Sequence, residues 1–203
     1  MTLAGFVAVS LLHLMAAISP GPAVLLAART GISEGLRTCT FLACGLALGA
    51  VAWASAALFG LALVFKAVPA VFWTLKLVGA VYLIWLGWKL WRSAPQPIAT
   101  GGPRPPRSAF SAFRLGLFAQ LANPKPALFF SAVFVGLVPP GTGAPVIAAL
   151  LLVVFLNEAL WNVLVARIFS LEPARAGYML LKTTLDRTFG ALLALLGIKL
   201  AVS

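Results

Sequence analysis

Acidic side chains are nearly missing from this chain: four Asp and Glu stand against 15 Lys and Arg in 203 residues. There is one histidine, His13, and there are two cysteines, Cys39 and Cys44. These shortages exclude whole classes of function. A metal centre needs several oxygen, imidazole or thiolate ligands converging, and the sequence offers neither a histidine cluster nor a CxxC pair. A membrane thiol–disulfide carrier would want reactive cysteines on separate, facing helices, whereas these two lie five residues apart. No nucleotide-binding loop, HExxH or serine-hydrolase elbow occurs. No metal, no cofactor and no enzyme activity are therefore expected, and ATP cannot supply energy within this chain. Charge of either sign is scarce at 9% of residues, against roughly 25% in soluble domains.

Apolar residues take the vacated space. They make up 62% of the chain, and the mean hydropathy is +1.06. A membrane-crossing helix needs about 20 apolar residues, and six segments qualify: about 3–28, 39–65, 70–90, 112–138, 145–169 and 183–201. Polar or turn-forming stretches separate them: RTGISEGLR (29–37), KAVP (66–69), the Pro/Gly-rich RSAPQPIATGGPRPPR (92–107), VPPGTGAP (138–145) and SLEPARAG (170–177). The opening MTLAGFVAVSLLHLMAAISPGPAV lacks a basic n-region and a cleavage site, so it is expected to be a retained membrane helix.

The net charge of +11 points to topology and anionic lipid, not to nucleic acid. Arg29, Arg37, Arg92, Arg104, Arg107 and Arg175 fall in the odd-numbered connections, with Lys89, Arg114, Arg167, Lys182 and Arg187 near the adjoining helix ends. Lys66 and Lys199 alone are on the other side. The positive-inside rule puts the basic loops in the cytoplasm and both termini outside.

Two blocks also repeat. LKLVGAVYLIWLGWKL (75–90) resembles LDRTFGALLALLGIKL (185–200), and SPGP (19–22) resembles NPKP (123–126), in the same order. Three helices per copy would place the second copy inverted, a pattern of secondary transporters whose site lies at the repeat interface. The expected fold class is all-α: a polytopic membrane protein of six transmembrane helices, built as two inverted three-helix repeats with helices 1 and 4 broken. It forms one transmembrane domain over 1–203, with repeat 1 about 1–91, a cytoplasmic loop about 92–111 and repeat 2 about 112–203.

The proline pairs carry the strongest chemical hint. Proline inside a helix removes a donor and costs ~3 kcal/mol, and the carbonyls it frees in lipid need partners. Ser19 is expected to cap a second half-helix starting at Pro20, with Gly21 and Pro22 following, and Asn123 to cap one starting at Pro124. Half-helix N-termini suit a carboxylate. Lys125, inside the second break, would hold a carboxylate, exchange a proton, or snorkel. Glu158, the one carboxylate deep in an expected span, fits a proton relay, a cation-holding group, or a structural partner for Lys125 or Lys76. Asn157, Trp161 and Asn162 are its near neighbours, and Gln120 lies three residues before Asn123. His13 reads as a packed histidine one to two turns before Ser19. Asp186 and Arg187 read as an interfacial pair, GLALG (45–49) as a close-packing face, and Trp88 and Trp91 as an interfacial belt.

SPGP, RTGISEGLRTCTFLACGLALG, LKLVGAVYLIWLGWKLWR, FRLGLFAQLANPKPALFF and DRTFGALLALLGIKLAVS, in this order over nearly the whole chain, resemble the LysE/RhtB superfamily of amino-acid exporters. The resemblance implies a small multi-pass protein of the bacterial inner membrane that exports an amino acid or related zwitterion, coupled to protons, and that forms homodimers. It carries over onto Ser19, Pro20, Gly21, Pro22, Asn123, Pro124 and Lys125 as substrate-binding residues. Three positions depart from the pattern: Ala23 where many members have Asn or Asp after SPGP, Trp53 where many have a histidine, and VGLVPPG in place of a PQF-like turn. The function expected is secondary active export by proton antiport; export of another small solute or cation, or a non-transporting membrane subunit, are the alternatives.

Overall fold

The computed structural model describes residues 1–19, 21–60, 77, 80, 81, 84, 85, 87–89, 91–95 and 105–202. Among them the chain forms helices and no strand. Thr2 starts α1 (Leu3–Ile18), its hydroxyl accepting from the Gly5 N–H. After Gly21 comes α2 (Pro22–Glu34), and after Gly35 comes α3 (Leu36–Ser55), which continues through a π-helical turn, Ala56–Gly60. Ser108 caps α4 (Ala109–Leu121); the second proline pair opens α5 (Pro124–Leu137); α6 is Ala144–Ser170 and α7 is Glu172–Val202. Among the described residues two stretches are long and apolar enough to cross a bilayer, Leu36–Phe59 and Ala144–Ser170, and α1 with α2, bent by 56°, make a third if the pair is one span. The expected spans over 70–90 and the KAVP turn lie largely or wholly outside the described residues, as do Lys76 and Pro20.

Two expected loops are almost wholly helical. The sequence of RTGISEGLR predicts a connection, yet only Gly35 leaves the helix, at φ +90°, a left-handed conformation that favours glycine. Ser33 donates to the Arg29 carbonyl at 2.7 Å, which satisfies its hydroxyl inside a helix. Gly31 serves packing, since a Cβ there would stand 2.7 Å from the Ala166 Cβ of α6. SLEPARAG likewise reduces to Leu171, because Pro173 falls in the first turn of α7, where its missing N–H has no partner to lose.

Small residues bring the helices to backbone contact. A Cβ on Gly45 would lie 2.0 Å from the Phe113 carbonyl oxygen, and one on Gly116 would lie 2.1 Å from that of Leu42. The α3–α4 seam is thus built by glycines of both helices, as the GLALG face suggested, and the two run parallel. Gly87 backs onto Gly190 and Ala194, while Gly197 backs onto Ala80 and Ile84, an antiparallel crossing.

Helix α6 shows which solvent the molecule is made for. Leu152, Leu156, Leu160 and Leu164 recur every fourth residue and are exposed. Val154, Glu158, Asn162 and Val165 on the opposite face are buried. A leucine stripe outside and a carboxylate inside reverses the soluble pattern and fits hydrocarbon surroundings.

The pairing of Asp186 with Arg187 is not observed. Asp186 takes a hydrogen bond from Lys182 at 2.7 Å, both side chains buried, and Arg187 lies over the Trp91 ring. Neighbours i and i+1 point apart on a helix, whereas i and i+4 share a face. Lys182 also donates to the Ala94 carbonyl at 3.0 Å.

Candidate functional site

The two helix breaks meet. Proline after Ser19 pushes that residue out of the helical region, and Ser19 is extended at φ −64°, ψ 129°. It closes α1 and does not cap α2: its N–H donates to the Met15 carbonyl and its hydroxyl to the Ala16 carbonyl, both at 3.0 Å. The expected N-cap role passes to Gly21, which is extended, has no side chain to offer, and precedes Pro22 at the first helical position. At the second break the expected cap is present. Asn123 Oδ1 accepts from the Lys125 N–H at 3.1 Å, with Pro124 at the start of α5.

From there the Lys125 side chain crosses to the first break. Its Nζ donates to the Ser19 carbonyl at 2.8 Å and to Ser19 Oγ at 2.5 Å. A Cβ on Gly21 would stand 3.4 Å from the same nitrogen, so the ammonium lies over the glycine of one break while its own backbone is held by the cap of the other.

Both breaks open on one cavity. It offers about 400 Å³ of space between atoms, its open mouth included. Gly21, Asn123 and Lys125 edge it on the side of the breaks, and Glu158, Gln120 and His13 on another. Ala16, Ala17, Ala23 and Val24 from α1 and α2 form one apolar wall; Pro126, Phe129 and Phe130 from α5 form the second.

The carboxylate side is a buried network. Gln120 Nε2 donates to Glu158 Oε1 at 3.0 Å, and Asn162 Nδ2 donates to the Glu158 carbonyl at 2.8 Å and to Oε1 at 3.3 Å. His13 Nε2 stands 3.9 Å from Glu158 Oε2, and its ring stacks on Phe130 with centroids 5.2 Å apart. Asn157 lies behind His13, donating to the Ser10 carbonyl at 3.2 Å. Gly49 leaves the space that Gln120 fills, and the Trp53 indole donates to the Gln120 carbonyl at 3.3 Å. Two acceptors, Gln120 Oε1 and Asn162 Oδ1, are buried with no partner among the described residues. Burying such groups costs about 1–3 kcal/mol each.

Of the sequence candidates, Gly21, Asn123, Lys125, Glu158, Gln120 and His13 line the cavity. Ser19 reaches it through Lys125, while Asn157 and Asn162 support its walls. Trp161 turns away, packing on the buried group of Val24, Ala28, Val165 and Phe169. Phe129 and Phe130 were not singled out from the sequence. Their signal was spacing: Phe129 is four residues after Lys125 and Phe130 four after Pro126, so both share the face of the break.

Away from the cavity, Glu34 at the end of α2 meets Arg107 just before α4. The Arg107 guanidinium donates to both carboxylate oxygens, and the Arg107 N–H donates to Oε2 at 3.1 Å. The hydrogen bonds to Glu34 push the Arg107 pKa up.

The family model described as "LysE type translocator" matches residues 14–203. A threonine efflux protein of Escherichia coli (strain K12) is 30% identical over 201 residues, 98% of each chain. An uncharacterized membrane protein of Pseudomonas aeruginosa is 35% identical over 142 residues, 68% of this chain and 66% of its own. A leucine efflux protein of Klebsiella pneumoniae is 28% identical over 138 residues, 68% and 65%. No solved structure matches.

Proposed function

Because this chain belongs to the LysE type translocator family, and is a membrane transporter and not an enzyme, we propose that it is a secondary active exporter of an amino acid or related small zwitterion, driven by the proton gradient across the bacterial cytoplasmic membrane. One observation carries the reading: a lysine from one helix break reaches the other at the edge of a cavity that also holds a buried carboxylate. A cation and an anion lining one cavity match the two charges of a zwitterion. In a membrane interior such charges are expensive unless they have work to do.

The amino-acid class is supported by the printed functions of the relatives, threonine and leucine efflux. Rocking of one three-helix unit against the other would open the cavity to each side in turn. The glycine crossing supports such units: an offset of 110 residues carries Ala80, Ile84 and Gly87 onto Gly190, Ala194 and Gly197, and their contacts map onto each other. In this reading the six spans form one domain over 1–203, the basic loops face the cytoplasm and both termini face outward. Protons exchange at Lys125 or Glu158, and the leucine-striped outer surface meets lipid or a second copy.

Efflux from proteoliposomes loaded with a panel of radiolabelled amino acids, under an imposed pH gradient, tests this. Gradient-dependent flux of at least one neutral amino acid is expected. Gradient-dependent flux of an inorganic cation, with none of any amino acid, would give the site to another solute.

A further inference from the structure

The polar atoms around the cavity fall into two sets, and a zwitterion uses both. Lys125, with the Asn123 amide beside it, makes a cationic end. Glu158 and the partnerless Gln120 Oε1 make an end of acceptors. A carboxylate on the first and an ammonium on the second would satisfy Gln120 Oε1, which is otherwise a buried acceptor with nothing to accept. The His13 ring nitrogens are turned to Asn157 and Glu158. What remains is hydrocarbon: Ala16, Ala17, Ala23 and Val24 on one side, Phe129 and Phe130 on the other.

We propose, resting on the export reading above, that these two walls receive the solute's side chain and that this side chain is small and aliphatic, without a hydroxyl. A hydroxyl placed between alanine methyls and phenyl rings loses its water and meets no partner. Valine and threonine separate the two cases cleanly, since they share a shape and differ by a methyl for a hydroxyl. Family membership does not decide this choice, because relatives are named for threonine and for leucine. Ala23 matters most here, because it places a methyl in the wall at the first turn of α2.

The test is uptake by counterflow into proteoliposomes holding the full chain, with valine and threonine at equal concentration. Valine is expected to move about 10- to 100-fold faster, the range in which a hydrophobic pocket discriminates against an added hydroxyl. Ala23→Ser supplies the missing hydroxyl partner and is expected to lower that ratio at least about threefold. Threonine, or a charged amino acid, moving as fast as valine overturns this inference and leaves export standing. A valine-to-threonine ratio unchanged in Ala23→Ser overturns the assignment of the alanine wall. Absence of flux for every amino acid overturns the export reading and this one together.

Discussion

The two helix breaks share a sequence pattern and differ in how they are finished. At the second, Asn123 ties its side chain to the Lys125 N–H, and α5 starts on a proline with a side-chain cap. At the first, the corresponding cap is Gly21, which has no side chain, and Ser19 bonds backwards into α1. One break is complete in itself; the other is completed from across the cavity by Lys125. A rigid, capped end thus delivers a charge to a bare one. A bare helix N-terminus keeps free N–H groups and partial positive charge for an anion, and the glycine leaves the anion room to approach.

The largest test of this asymmetry removes the group that joins the two ends. Lys125→Met keeps an unbranched side chain one atom shorter and deletes its charge. It forfeits up to about 3 kcal/mol of charge-assisted bonding to a carboxylate, so gradient-driven efflux should fall about 100-fold while the amount of protein in the membrane is maintained. Efflux retained above about a third of the wild-type rate would mean that the two breaks do not act through this lysine.

A smaller effect separates the breaks as structures. Asn123→Ala deletes a side-chain cap, and such caps are worth about 1–2 kcal/mol. Ser19→Ala deletes a hydroxyl but leaves the Ser19 carbonyl to hold Lys125. Thermal unfolding of the purified protein in detergent should therefore show a fall of several degrees for Asn123→Ala and a lesser one for Ser19→Ala. The reverse order would place the structural weight on the first break.

Part of this was legible in the sequence because the cost of a violation was visible there. Proline pairs in apolar helices, a lysine at depth and a lone carboxylate are each expensive in lipid, and Gly21, Lys125, Pro126 and Glu158 line one cavity. The helix ends were harder to read, because the same residue types have two uses. Gly31 and Ser33 read as loop residues, but the glycine lets Ala166 approach and the serine bonds within its helix. Asp186 was matched to its neighbour in sequence when its partner lay one turn back. Ser19 was read as a cap for the helix ahead because it precedes a proline; which way a hydroxyl turns depends on acceptors that only the folded chain brings near. Phe129 and Phe130 carried no charge to mark them, and only their spacing from the break linked them to the site.

The smallest effect, and the most discriminating in sign, comes from making the breaks alike. Gly21→Asn gives α2 the kind of cap that Asn123 gives α5. The backbone there is extended, at φ −164°, which any residue adopts, so the exchange brings no backbone strain. Asparagine exceeds glycine as a cap by a few tenths of a kcal/mol, and the variant should unfold at a temperature equal to or slightly above that of the wild type. Its side chain, however, starts 3.4 Å from Lys125 Nζ and takes up the N–H groups and the space that the bare end holds open. Efflux should therefore drop several-fold as stability is kept. Stability and efflux falling together would mean that the glycine is needed for packing alone; a rise in stability with a loss of efflux separates the finished break from the working one.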